Sequence, residues 1–371
     1  MSFEDHIQEA RDIQKAILNF LDDEQNSDIN YQYLIKLFED LKIYDNQYNL
    51  KLLLHLLCSI SNNHHRSSDF FNKINQILFF LKESITKYFS NLSIFNIFKS
   101  NKRMLLLLIE SKIMIIDRVI AIKLQSEEYK KEGYHLYFGQ EISSALNQRK
   151  SIEQKENFLA KRKIGENDEY ICTLIQKDLI DEFISHINKT NYPIKATISQ
   201  SIFETNNFLL RQQSISLIEY AAFFGSIQII KYLLINNVKL EPSIWLYAIH
   251  SDNAELIHLI EENHIDPKDK SYKECIKESI KCHSNDITNY FENNYITNND
   301  EYSSFIHNQS IKYYNFEFIQ DRMIEKSFIY FCKYDYIFIV DVLFRTKNVD
   351  MNYCIVFLEN MFLIQFHLFF S

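Results

Sequence analysis

The chain has 371 residues, 46% apolar and 24% charged, a balance that suits a folded protein with a sizeable core. Forty basic against 49 acidic side chains give a formal charge of −9 without any long basic run, which argues against a nucleic-acid surface. Four Gly and three Pro are too few for a turn-rich β fold or a glycine-loop nucleotide site, and the length exceeds one ordinary domain.

In chain order, the acidic start MSFEDHIQEARD lacks an apolar signal core. Ile7, Ala10, Ile13, Ile17, Leu18 and Leu21 then recur at helical spacing and predict a first amphipathic helix. Tyr33, Leu34, Leu37, Phe38 and Leu41 predict a second, and the nearly apolar run from Leu50 to Ile60 a central third. After the polar loop SNNHHRSS, the stripe of Phe70, Ile74, Ile77, Leu78, Leu81 and Ile85 predicts a fourth. Met104 to Ile122 is the longest internal apolar run. Glu110, Lys112, Asp117 and Arg118 interrupt it, so it is read as one buried helix and not as a membrane span. Residues 1–150 are thus expected to form a helical N-terminal domain. The charged stretch from Gln148 to Glu169 places a connecting segment at 151–169.

Beyond it, SLIEYAAFFGSIQIIKYLLINNV (Ser216 to Val238) reads as two short helices around Gly225. Ala221 and Ala222 allow close approach of a neighbour, while Ile229, Ile230, Leu233 and Leu234 form a sealing face. Such a unit cannot bury its own apolar face, so it predicts stacked copies. Aligning Ala221 with Ala248, 27 residues on, places Leu256, Ile257 and Ile260 on the seal. A third copy has Ser279 at the alanine position, with Ile287, Tyr290 and Phe291 on the seal. A fourth has Phe331 and Cys332, with Ile339, Val340 and Leu343. Tyr170 to Asn188 reads as a degenerate earlier unit through Cys172, Leu179, Ile180 and Phe183, and a divergent copy is placed at Glu301 to Met323. The repeats are assigned to 170–352. The apolar tail, 353–371, reads as a truncated repeat; Glu359 and Asn360 leave too few apolar residues after them to span a membrane.

The AA-x-x-G turn followed by I-I-x-x-L-L resembles the ankyrin repeat, with its best match at Ser216–Val238 and weaker matches over about half the chain. The layout is similar to a family of protist proteins in which a helical region of unknown function precedes short, degenerate ankyrin repeats. The resemblance implies a protein-binding scaffold and carries over no catalytic residues. The usual T-P-L-H opening stands here as S-L-I-E, S-I-W-L and K-S-F-I. Asp252, His283 and Asp335 replace the glycine of the later copies, and the repeat spacings of 27, 31 and 52 residues depart from the standard of about 33.

The sequence contains no P-loop, nucleophile-elbow or H-E-x-x-H motif. His64–His65 is read as a solvated loop. Cys275 and Cys282, with His283 nearby, are read as buried thiols and not as a zinc site, and His250, His258 and His264 as surface or capping residues. The six cysteines (Cys58, Cys172, Cys275, Cys282, Cys332, Cys354) form no C-x-x-C pair and point to a reduced, cytoplasmic setting.

In an ankyrin-like stack the first helix of each pair lines the concave side. Its positions here hold Tyr220, Phe223 and Phe224, then Tyr247, His250 and Ser251, then Glu278, Lys281 and Cys282, then Tyr330, Lys333 and Tyr334. Tyr220, Phe223, Phe224, Tyr247, His250, Tyr330 and Tyr334 are the candidate partner-binding residues. The expectation is an all-α protein, a helical N-terminal domain followed by an ankyrin-like helix-pair solenoid, acting as a non-catalytic protein–protein interaction scaffold. No cofactor, metal, nucleic acid or membrane is expected, and the protein partner is unspecified. The rivals are a structural or regulatory solenoid closed by its own N-terminal helices, and an enzyme with its site in the N-terminal domain.

Overall fold

The computed structural model describes residues 3–147, 156–268, 270–296 and 300–346, and these are helical, joined by turns and loops. Among them the only β pairing is an isolated bridge, Thr197 with Ser216, and no helix is long and apolar enough to cross a membrane. The described residues form two compact units: 3–56 with 300–346, and 57–296. The tail expected at 353–371 lies outside the described residues.

The first unit begins with α1 (Phe3–Asp22), whose predicted stripe is buried except for the half-buried Leu18: Ile17 and Leu21 are fully enclosed. α1 packs on α2 (Ser27–Asp40), and α3 (Gln47–Asn63) follows, with Leu50 and Leu54 buried in its first half and, beyond residue 56 in the second unit, Leu57 and Ile60 buried in the rest.

The second unit continues with α4 (Phe70–Tyr88), α5 (Asn91–Phe98), α6 (Lys102–Glu110) and α7 (Arg118–Leu124). The single helix expected over Met104–Ile122 is therefore two. α6 ends in a turn that puts Lys112 at φ 55°, and the Asp117 carboxylate accepts from the Ile120 N–H to start α7 afresh. Those interrupting charges are stop and start signals, not substitutions on a continuous face. Three short helices follow: α8 (Glu127–Lys131), α9 (Tyr134–Tyr137) and α10 (Gly139–Ala145).

α11 (Glu156–Ile164) packs on α6. Its charges do not mark a solvated linker. Arg162 is buried and forks onto Glu141 at 2.9 and 3.1 Å, and Lys161 meets Asp168 at 2.8 Å. The division at 150 and 170 drawn from charge thus falls inside one compact unit.

Helix pairs then succeed one another: α12 (Tyr170–Gln176) with α13 (Ile180–Thr190), the short α14 (Asn207–Leu210), α15 (Leu217–Phe224) with α16 (Ile227–Ile235), α17 (Ile244–Ser251) with α18 (Ala254–Glu262), and α19 (Lys273–Cys282) with α20 (Asn285–Tyr295). The first helices pack in order, α12 on α15, α15 on α17, α17 on α19. The predicted small residues sit at these contacts: Ala221, Ala222, Ala248 and Ser279 are fully buried. Each first helix ends in one left-handed residue, at Asp178 (φ 49°), Gly225 (68°), Asp252 (51°) and His283 (60°). The glycine is lost in three pairs, but the backbone shape it serves is kept in all four. Side chains compensate: the Asp178 carboxylate accepts from the Gln228 and Ile229 N–H groups, both at 3.1 Å, and so caps the second helix of the next pair. Ser216 and Glu219 form a capping box at the start of α15, and the Ser243 hydroxyl donates to Glu219 at 2.6 Å. Glu219 therefore links consecutive pairs.

The first unit closes with α21 (Asp300–Tyr313), α22 (Ile324–Lys333) and α23 (Ile337–Thr346). Asp335, between α22 and α23, takes the same left-handed turn at φ 64° and pairs with Lys51. Gln14 and Arg11 of α1 hold this segment: Gln14 accepts from the Phe316 N–H at 2.6 Å, and Arg11 donates to the Phe316 carbonyl at 3.0 Å. α1 packs against α23 as well, so the start of the chain shares a core with residues near its end.

Candidate functional site

The turn ends of α15 and α17 border a cavity of about 100 Å³. It is lined by His64, His65, Arg66, Glu166, Glu204, Asn206, Phe223, Phe224, His250 and Ser251. That space admits several water molecules. Its walls come from five stretches of chain, three of them loops joined by hydrogen bonds. Thr205 donates its hydroxyl to the Gly165 carbonyl at 2.7 Å, and Arg66 donates to the Thr205 hydroxyl at 3.2 Å. Asn207 donates to Asn62 at 3.0 Å. Glycine suits position 165: at φ 76° an added Cβ would be strained and would stand 3.0 Å from the Thr205 hydroxyl, a crowded contact.

Two carboxyl groups face this space. Glu204 is buried, and one of its oxygens accepts from the Thr205 and Asn206 N–H groups at 2.8 and 2.7 Å, while the other has no hydrogen-bond partner among the described residues. Burial raises its pKa, opposed by the Asn206 N–H and by Arg66. Burial also pushes Glu166 up to about 7; Arg66 opposes that shift and Glu204 adds to it. One of these carboxyls can therefore exchange a proton near neutrality. Among the described residues, two candidate nucleophiles lie close by. The Ser251 hydroxyl donates to the Ala248 carbonyl at 2.7 Å, and burial drives the Cys282 thiol far above its ordinary range.

Deeper in lies a second cluster. His250 is 2% exposed, with Nδ1 3.1 Å from the Asn63 carbonyl oxygen and Nε2 2.7 Å from a Glu278 oxygen. The Cys282 sulfur is 3.4 Å from Nδ1 and 3.8 Å from Nε2. Lys281 donates to the same Glu278 oxygen at 2.5 Å, and His64 Nδ1 lies 2.7 Å from the Cys282 carbonyl oxygen. Burial lowers the His250 pKa against the pull of Glu278, and His250 and Lys281 together outweigh burial to hold Glu278 down at about 2.

The candidate partner-binding residues fall into two groups. Tyr220, Phe223, Phe224, Tyr247 and His250 do come together, but they face inward. Tyr220 is fully buried and its hydroxyl accepts from Gln176 at 2.8 Å. Phe208 of α14 inserts among the others: its ring stacks on Phe223 (6.0 Å) and approaches Tyr247 (4.9 Å) and His250 (4.3 Å). Phe224 remains half-buried at the cavity wall. Tyr330 and Tyr334 belong to the other unit, half-buried, with ring centres 6.4 Å apart. The readings of His64 as solvated and of His250 as surface are corrected, since each is enclosed and bonded to backbone across the packed helices. His258 and His264 are exposed, and Cys275 and Cys282 are buried as expected. The sequence reading missed Glu166, Glu204 and Arg66, which lie in loops without periodicity. It did place His250, Glu278 and Cys282 at neighbouring positions of one face.

The first unit holds a smaller, mainly apolar cavity of about 40 Å³ beside Ile13, Leu53 and Phe316. No family model matches the chain, and no curated protein or solved structure does either.

Proposed function

We propose that this chain is a non-catalytic, ankyrin-like solenoid serving as a protein–protein interaction scaffold, with the repeat face of residues 57–296 held closed by the chain itself. The observation that carries this reading is Phe208, seated among Phe223, Tyr247 and His250 where a partner's aromatic anchor would dock. The ankyrin-like part is supported by the ordered packing of first helices and by the left-handed residue that ends each of them. Asn63 and Asn207 contribute to the closure through their bonds to His250 and Asn62.

Phe208→Ser tests it in the full chain. α14 has four residues and is flanked by loops, so its release leaves the helix pairs intact. The expected result is faster amide exchange and new protease cleavage around 200–214 with unchanged helix content. Protein capture should be gained by the variant and lost again on adding Phe224→Ser. Wild-type capture that depends on Phe224 without any opening would refute the closed form.

One observation favours a second reading, a small-ligand site: Glu166, Glu204 and Arg66 converge on one cavity. A thermal-shift screen of small polar compounds, positive for the wild type and negative for Glu204→Gln, would favour it.

A further inference from the structure

We infer that His250, Glu278 and Cys282 form a binding site for one zinc-class divalent ion, with a fourth ligand drawn from solvent in the adjoining cavity. The inference rests on side-chain geometry and stands whether or not the scaffold reading holds. The three residues each bring one ligand atom within 4.8 Å of the others, and all three are buried. Nitrogen, carboxylate oxygen and thiolate sulfur together suit zinc; magnesium and calcium take oxygen alone.

The orientation of His250 is the strongest argument. A neutral imidazole carries one N–H, yet both ring nitrogens face acceptors: the Asn63 carbonyl at Nδ1 and the Glu278 carboxylate at Nε2. Donation from Nδ1 to a backbone carbonyl is the arrangement that orients a metal-bound histidine. In that tautomer the Nε2 lone pair faces the carboxylate across 2.7 Å, whereas with Nε2 protonated the same contact is the hydrogen bond that holds Glu278 in the metal-free chain. A cation between them turns that contact into two ligand bonds. Tetrahedral zinc places nitrogen and sulfur ligands about 3.6 Å apart and nitrogen and oxygen about 3.4 Å apart. The Nε2–sulfur separation of 3.8 Å already fits, and Glu278 has to draw back by one side-chain adjustment. Lys281 is the internal competitor, since its ammonium occupies the same Glu278 oxygen. His250 also lines the cavity, which gives solvent access to the remaining position. On binding, the Cys282 S–H bond breaks as the S–metal bond forms, and the proton leaves to buffer.

The test uses the full chain, freed of metal with a chelator and kept reduced by a phosphine. Titration with Co²⁺ alone should give a thiolate-to-cobalt charge-transfer band that saturates at one equivalent and disappears on adding Zn²⁺. Cys282→Ser should abolish the band and weaken binding at least about tenfold. Cys275→Ser alters a buried thiol of the same helix outside the cluster and should keep both. Lys281→Met should tighten binding by removing the competitor. Circular dichroism shows that each variant is folded. Absence of the band in both wild type and Lys281→Met overturns the proposal, as does a band that survives in Cys282→Ser.

Discussion

Replacing Gly225 by alanine asks whether the left-handed turn is what the eroded repeats conserve. Gly225 sits at φ 68° and ψ 27°, where an alanine costs about 1–2 kcal/mol. The added Cβ would meet the Ser251 Cβ at 3.3 Å and Asn253 Nδ2 at 3.5 Å, a tight contact on top of that cost. Reduced freedom of the unfolded chain returns about 0.4–1 kcal/mol. The net loss is about 1–2 kcal/mol, or about 3–6 °C for a unit of this size. The converse substitutions separate turn shape from side-chain work. Asp178→Gly relieves its φ of 49° but removes two bonds to the start of α16, worth about 1 kcal/mol each, for a net loss of about 1 kcal/mol. Asp252→Gly relieves φ 51° and gives up only a 3.9 Å contact with His65, so it should fall within about 0.5 kcal/mol of wild type. Urea unfolding followed by Trp245 reads all three, because the chain has one tryptophan and it is 1% exposed inside this unit. A neutral Gly225→Ala, or an Asp252→Gly as damaging as Asp178→Gly, would refute the reasoning.

Other outcomes follow from the buried charges. Burial raises Glu166 from 4.5 to about 7, so between those values the folded chain holds a proton that the unfolded chain has lost. Burial lowers His250 and takes His307 down to about 4, which pulls stability the other way over the same range, so the readout is a difference. Relative to Glu166→Gln, the wild type should lose stability as pH rises from 4.5 to 7 and level off above, and identical slopes in the two proteins count against the raised pKa of Glu166. Glu141→Ala takes the carboxylate from the enclosed Arg162 guanidinium, which keeps its bond to the Tyr137 carbonyl, and should cost about 3 kcal/mol in urea unfolding, largely independent of salt. Glu255→Ala, which breaks an exposed pair with Lys231, should cost under about 1 kcal/mol and be erased by salt.

Much of the helical pattern is legible in the sequence because burial imposes period. Ile7 to Leu21 and Phe70 to Ile85 each mark one covered face, and both stripes are enclosed apart from the half-buried Leu18. The repeat alignment was informative even where residue identity was lost: Asp252, His283 and Asp335, taken as replacements for glycine, each hold the left-handed conformation. The break at 111–117 was less legible, since Asp117 reads equally as an interruption or as a helix cap until its bond to the Ile120 N–H is seen. The pairing of Gln14 and Arg11 with residues some 300 positions away leaves no periodic trace at all.

The inward-facing aromatic row has the same physical origin. Hydrophobic periodicity reports that a face is covered, and is silent on whether a partner or the chain itself covers it. Tyr220, Phe223 and Tyr247 would have the same spacing in either case. What distinguishes the two is polar: His250 bonded to the Asn63 carbonyl, His64 at the Cys282 carbonyl, and Asn207 to Asn62. A protein-binding face left open to water would have no need of such partners from its own loops, because water would satisfy those groups. Their satisfaction by segments 62–66 and 204–208 is what favours the closed face proposed above over an open platform.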